Sequence, residues 1–496
     1  MTLTELQANL LSILPLAVLV VWALALLLID LFIPANRKGL TALLSFVGLM
    51  VSLGLTLMQF SPNSFMARGQ AFNGMIVIDG YSQFLNVLFL LSGMFAIGLS
   101  YDYLKRMGLE KGEFYILLLL SVAGMLLMSM AADLIIVFLS LEWFSIPLYI
   151  MAGFAQPRTD SEESALKYFL LGAYATSIIV YGTALVYGAT ATTSLVGILR
   201  AVQAETANLG LLTVGGALVL VGLGFKVSAA PFHMWTPDVY HGAPSPVSGF
   251  MSVTAKAAGF AALLRVFIIA LPATALNLTP IIWALAALTM FVGNIVAIVQ
   301  NHIKRLLAYS SIAHAGYLMM ALVVFGQARV TSTAVAAVMF YLVAYALTSF
   351  GAWAVVIALE KEQNDGESSD KGLLIDDYAG LGRKKPFLAA AMAVFMLSFI
   401  GIPPTLGFVG KFYLFRLALE GGYLGLALVG VITSLISAYY YLRVVVVMYM
   451  KEGEPEIRQE TWLNLTVFST AAAVVLLSIF STPLFDWASR AMISLF

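Results

Sequence analysis

The sequence predicts an all-α polytopic membrane protein, and three observations carry that prediction. Hydrophobic residues make up 61% of 496 positions and charged residues only 10%, where a soluble domain carries about a quarter charged. The apolar residues fall in runs of roughly 20, the length an α-helix needs to cross the hydrocarbon core. Lysine and arginine gather in alternate gaps between those runs.

Taken in order, polar Met1–Leu10 lacks the basic region and small-residue cleavage site of a signal peptide, so Leu11–Ile33 reads as a retained first span. The 20-residue ruler then places about 14 spans, at roughly 11–33, 40–60, 76–100, 114–130, 132–154, 163–188, 211–232, 245–271, 279–300, 304–325, 331–359, 387–419, 423–450 and 462–483. The odd-numbered loops hold fifteen basic residues, from Arg37 and Lys38 through Lys304, Arg305, Lys361 and Lys371 to Lys451 and Arg458; the even-numbered loops hold three, Arg68, Arg200 and Arg329. Positive charge stays on the cytoplasmic side, so the odd loops are expected there and both termini opposite. Glu360–Lys385, centred on the polar run 363–370, reads as a solvated cytoplasmic loop, and Pro483–Phe496 as an interfacial tail.

Composition also excludes whole classes of function. A formal net charge of zero gives no hint of nucleic-acid or acidic-substrate binding, so charge matters here by position. Without cysteine there is no disulfide, no thiolate-held iron–sulfur cluster and no cysteine zinc site. None of His233, His241, His302 and His314 has the spacing of a helical zinc pair. No cofactor is therefore expected in this chain.

The polarity worst matched to its surroundings lies in Gly224–Lys256, where two lysines, two histidines, an aspartate and four prolines separate two apolar runs. Helix breakers at membrane depth are tolerated where they line a cavity or are buried in protein, and ionisable groups there mark function by default. Pro231 interrupts the seventh span after Lys226, and Gly401-Ile402-Pro403-Pro404 interrupts the twelfth before Lys411. The two lysine-bearing breaks lie five spans apart, an odd number, so units of that size run in opposite orientations, the pattern of an inverted repeat around a midplane site.

Glu142 falls near the midplane of the fifth span, and Lys167, just inside the sixth, is its nearest cation in sequence. The two form either a structural pair holding helices together or a charge that moves. Lys226 either carries a proton or caps free carbonyls of the broken helix. Lys256 also reaches the midplane, making a row with Lys226 and Lys411 or pairing locally. His233 sits in the first break, and His314 is either a relay or a satisfied core histidine with Tyr309, Ser310 and Ser311 within reach. Arg265, Arg416 and Arg443 lie near helix ends, where long side chains snorkel.

Phe225-Lys226, the segments 231–240 (PFHMWTPDVY), 242–248 (GAPSPVS), 304–314 (KRLLAYSSIAH) and 407–412 (GFVGKF) resemble the antiporter-like membrane subunits of respiratory complex I, the proton-pumping NADH:quinone oxidoreductase, over nearly the whole chain. The run 237–246 and a lysine at 411, where the M type carries glutamate, resemble the N type; the chain also stops without the long lateral helix of the L type, and the full first spans look bacterial. The resemblance implies two inverted five-helix repeats within a division into 1–110, 111–272, 273–451 and 452–496. It implies Glu142 with Lys167 as a coupling pair, Lys226 as the central lysine, Lys256 and His314 as connecting relay, and Lys411 on the exit side. NADH, FMN, iron–sulfur clusters and quinone would sit on partner subunits. Partners would be a neighbouring antiporter-like subunit, small K/J/A-type subunits and lipid, in a bacterial inner membrane. The competing readings are a subunit of a cation/proton antiporter and a non-pumping scaffold.

Overall fold

A computed structural model describes residues 3–61, 64, 66, 68–324, 331–361, 372–458, 460–491 and 493. Arg329, Lys371 and the polar run 363–370 lie outside the described residues. Short α1 (Leu3–Ser12) leads to α2 (Leu14–Asp30) and α3 (Gly39–Met58), and a hairpin of β1 (Gly69–Ala71) and β2 (Ile76–Ile78) precedes α4 (Gly80–Arg106). There follow α5 (Gly112–Met130), α6 (Leu134–Ala152), α7 (Thr159–Thr190), short α8 (Leu195–Gln203), α9 (Leu209–Lys226), eight-residue α10 (Trp235–Gly242) and α11 (Ser245–Arg265). The remainder is α12 (Pro272–Ile298), α13 (Ile303–Val323), α14 (Thr331–Leu359), one-turn α15 (Leu381–Lys384), α16 (Pro386–Ile400), α17 (Leu406–Glu420), α18 (Leu424–Met450), α19 (Thr461–Ile479) and α20 (Ser481–Arg490).

The all-α polytopic architecture is the one the sequence predicts. Among the described residues 12 helices are long and apolar enough to cross a membrane, or 13 if the bent pair of α1 and α2 counts as one span. The twelfth expected span accounts for the remaining difference: it is divided into α16 and α17, of 15 residues each, both short of a crossing.

Polar sequence follows burial. Helices α4, α5, α11, α13 and α14 form a largely buried interior, while α3, α7 and α19 leave most of their surface uncovered. Small residues let α11 pack closely: a Cβ at Gly259 would lie 2.6 Å from Val227 Cγ1, so the helix passes directly against the residue that follows α9. The second break turns on Gly401, whose φ of +87° suits glycine and whose added Cβ would meet Lys411 Cδ at 2.9 Å. Gly401→Val is therefore expected to combine a strained backbone with displacement of Lys411. Its measure is a several-fold drop in membrane-embedded protein on an immunoblot, beyond that of a neutral change at exposed Leu435.

Candidate functional site

Lys226 is the last residue of α9 and only 2% exposed. Unwinding begins immediately after it, four residues before Pro231, and the freed backbone groups find partners. Ser228 and Ala229 amides donate back to Phe225 and Gly224 carbonyls, Trp235 Nε1 donates to Phe225 O, and Thr289 Oγ1 accepts from the Ala230 amide. Among the described residues the Lys226 ammonium therefore caps no carbonyl. It donates to Tyr168 Oη at 3.3 Å and lies over the rings of Phe144, Tyr168 and Tyr149, at 4.9, 5.1 and 5.5 Å from their centroids. Ring faces attract cations, and Trp235 stacked on Tyr168 at 4.6 Å fixes one wall of this cage.

The expected Glu142–Lys167 pair is not formed here. Lys167 donates to Asp238 Oδ2 at 2.8 Å and contacts Glu163 at 2.6 Å, one turn back on α7. Arg305 holds the other Asp238 oxygen at 3.0 Å. Glu142 Oε1 instead accepts from Thr176 Oγ1 at 2.5 Å, nine residues beyond Lys167, which is about 13 Å of helix rise. The cause is α10: its short helix brings Asp238 to Lys167, a partner that separation along the chain concealed. Burial pushes the Asp238 carboxyl up, but the hydrogen bonds from Lys167 and Arg305 outweigh it and leave the group below the usual carboxylate range. Glu142 meanwhile lies two residues before Phe144 of the Lys226 cage, on the same helix α6.

Lys256 and Lys411 are equally hidden, at 2% and 3% exposed. Lys256 donates to Ser311 Oγ of α13. Lys411 donates to Ile400 O at 2.9 Å and Ser434 Oγ at 2.8 Å and lies 4.5 Å from the Tyr317 ring centroid. Lys411 thus caps the carbonyl end of α16, the role that Lys226 does not take. Between them His314 Nδ1 meets Tyr341 Oη at 2.5 Å and Nε2 meets Tyr441 Oη at 3.2 Å. Both tyrosines come from other helices; of the expected neighbours Ser310 reaches His314 only through its own bond to Tyr441. Tyrosine hydroxyls also join Tyr317, Asn294 and Tyr440 beside Lys411. His233 is half-buried in the break, and the Lys256 charge acts on it.

Three charged groups, Arg265, Lys304 and Glu360, escaped sequence reasoning. Arg265 does not snorkel: it is 1% exposed and paired through two nitrogens with Asp79 at 3.0 Å. Lys304, assigned to a loop by charge, is 2% exposed and donates to Ala243 O at 2.7 Å. Glu360, assigned to solvent, is 3% exposed. His302 stacks edge-on with His241 at 4.4 Å, and burial with the nearby cationic side chains holds it well below the usual histidine range. For the three charged groups, position at the ends of apolar runs suggested water or snorkelling; only the partners contributed by distant segments show otherwise. Among the described residues no three His, Asp or Glu side chains gather to hold a metal.

A helical membrane bundle with Lys226, Lys256 and Lys411 buried within it, two of them at helix breaks, is the setting in which the comparisons fall. The family model for the transmembrane part of NADH:quinone oxidoreductase and Mrp antiporters matches residues 131–437, which defines the class as antiporter-like membrane subunits. NADH-quinone oxidoreductase subunit N of Chloroflexus aggregans is 45% identical over 490 residues, covering 97% of this chain and 96% of the relative. That of Trichlorobacter lovleyi is 44% identical over 468 residues, covering 94% and 92%. A chain of respiratory complex I from Thermus thermophilus with bound Aureothin superposes with a TM-score of 0.81 at 35% identity, covering 96% of this chain and 99% of that one. A chain of the Mrp complex from Dietzia sp. reaches a TM-score of 0.81 at 18% identity, covering 99% and 97%, a likeness of fold alone. The chain belongs to the NADH-quinone oxidoreductase subunit N family.

Proposed function

We propose that this subunit moves protons across a bacterial inner membrane along Lys226, Lys256, His314 and Lys411, driven by quinone reduction on partner subunits. The observation that carries the reading is the solvation of the three lysines. Among the described residues none forms an ion pair; their partners are a tyrosine, serines, a carbonyl and aromatic faces. A lysine kept only for architecture is normally paired when buried, whereas an ammonium held by hydroxyls and rings has somewhere to pass its proton. Burial penalises the charged lysine and a nearby carboxylate relieves that penalty.

Lys167 is the switch in this reading. Held by Asp238 and Glu163, as here, it leaves Glu142 with Thr176 as its partner and its charge available to Lys226; a movement of α7 against α6 that brings Lys167 toward Glu142 offsets that charge. Asp238 and Arg305 thereby join the coupling unit, and His233 connects the first break to Lys256. NADH, FMN, the clusters and quinone reside on partner subunits, and an antiporter-like neighbour and small K/J/A-type subunits adjoin this chain. The chain divides at 110, 272 and 451 into an N-terminal region, two inverted repeats and a C-terminal span, with both termini outside the cytoplasm.

The test is Glu142→Gln in the assembled complex reconstituted in vesicles. Retained quinone reduction with a lowered proton-to-electron yield supports the proposal, and a full yield from normally assembled complex rejects it. Lys411 has a competing role, because it caps Ile400 O. Lys411→Met is expected to lower the yield while assembly on a native gel stays within about twofold; a loss of assembly with a normal yield per complex assigns it to the cap alone.

A further inference from the structure

We infer that Glu360 is the outer protonatable station of a hydroxyl-lined path leading from the basic side of the protein to Lys256. The inference rests on the proton-transfer reading above and assigns to it an inlet.

Glu360 directly follows the last residue of α14 and is 3% exposed. Its Oε1 accepts from Tyr103 Oη of α4 at 3.0 Å. Its Oε2 is buried and has no hydrogen-bond partner among the described residues. A buried carboxylate oxygen without a donor is costly, and such groups are characteristically satisfied by internal water or by a proton. Two more buried oxygens, Tyr378 Oη and Ser245 Oγ, are in the same condition among the described residues; the Ser245 backbone amide reaches Tyr103, which places the start of α11 beside the pair. Arg158 and Asp377 are the other charges that bear on these tyrosines. A tie between α4 and α14 needs only one amide or carboxylate oxygen, so the second oxygen is left unexplained by architecture.

The route inward is written on α11. Ser245, Ser248, Ser252 and Lys256 stand at i, i+3, i+7 and i+11, a single stripe of a helix with 3.6 residues per turn. Every member is buried. Ser252 Oγ meets Ser349 Oγ of α14 at 2.9 Å, so the stripe faces the helix that Glu360 follows, and Lys256 continues to Ser311. From Ser245 to Lys256 the rise is about 16 Å, half the hydrocarbon thickness. In each transfer a proton taken up on Glu360 Oε2 passes to internal water and along the serine hydroxyls, each oxygen accepting one proton as it releases its own. It ends on the neutral amine of Lys256, and Glu360 returns to carboxylate.

The experiment compares Glu360→Gln, Glu360→Asp and Lys256→Met in the reconstituted complex, reading proton-to-electron yield and assembly together. Glu360→Gln keeps an acceptor for Tyr103 and cannot ionise; it is expected to lose as much yield as Lys256→Met at normal assembly, with Glu360→Asp recovering part of it. Full yield in Glu360→Gln beside a loss in Lys256→Met overturns this inference and leaves the general reading standing. Full yield in Lys256→Met overturns that reading and this inference with it. If Glu360→Gln assembles poorly, the double variant Ser252→Ala, Ser349→Ala carries the decision: the same loss supports the path, and full yield overturns it.

Discussion

Replacing Lys226 by methionine is expected to remove this subunit's share of proton transfer while the chain still folds and assembles. The side chain occupies a cage of Phe144, Tyr149 and Tyr168 with one hydrogen bond, to Tyr168, and no carboxylate within bonding distance among the described residues. A thioether fills such a cage well, since sulfur contacts with ring edges are favourable by about 0.3–1.5 kcal/mol. The break does not depend on the ammonium, because the free carbonyls of α9 are taken by Ser228, Ala229 and Trp235. Methionine thus removes the titratable group and little else. Quinone-linked proton uptake into vesicles should fall to the level of Glu142→Gln, with electron transfer measurable and the assembled band within about twofold of normal. Lys226→Arg is the control: it keeps the charge, cannot release a proton in this pH range, and should resemble methionine. A normal yield in either variant would take Lys226 off the route.

The largest effect on stability is expected at Asp79. Its carboxylate pairs with fully buried Arg265 through two contacts of 3.0 Å, while Oδ1 also accepts from the Ser82 amide at 2.8 Å to cap α4. Arg265 further donates to Ser129 O at 2.7 Å and lies 4.9 Å from the Tyr81 ring centroid, so α4, α5 and α11 meet at this one pair. Asp79→Ala leaves a buried guanidinium without a counter-ion, a cost of about 3–5 kcal/mol, and removes a helix cap worth roughly 1 kcal/mol. Against a typical stability of about 5–15 kcal/mol, that is enough to deplete the folded protein. The expectation is a loss of most of the membrane-embedded chain. The double variant Asp79→Ser, Arg265→Met retains a cap and removes both charges, and should recover much of the amount, since removing both partners of a buried pair is far less costly than removing one. Equal loss in the single and double variants would show that the pair contributes nothing as a pair.

Sequence reasoning read charge by neighbourhood, and its successes and failures follow from that. Lys226, Lys256 and Lys411 sit inside apolar runs, where no local water is available, and all three prove buried. Glu360, Lys304 and Arg265 sit at the ends of runs, where water or snorkelling is the economical expectation; each is buried by side chains or backbone from elsewhere, Tyr103 on Glu360, Ala243 on Lys304 and Asp79 on Arg265. Sequence separations of 257, 61 and 186 residues are beyond the reach of any local pattern. The Glu142–Lys167 pairing failed for a related reason, because nearness in sequence favoured it over Asp238, 71 residues from Lys167.

The sequence by itself determined that this is a helical membrane protein, where its helices break and which lysines lie inside apolar runs, because hydrophobicity, proline and charge act through local cost. Only the tertiary structure decided who solvates those lysines. Lys226 is given ring faces, Lys411 a carbonyl and Lys256 a serine, and Lys167 is drawn to Asp238. The physical reason is that a buried charge is satisfied by whatever polar or aromatic group the fold places within about 3–6 Å, and across packed helices that group comes from any part of the chain.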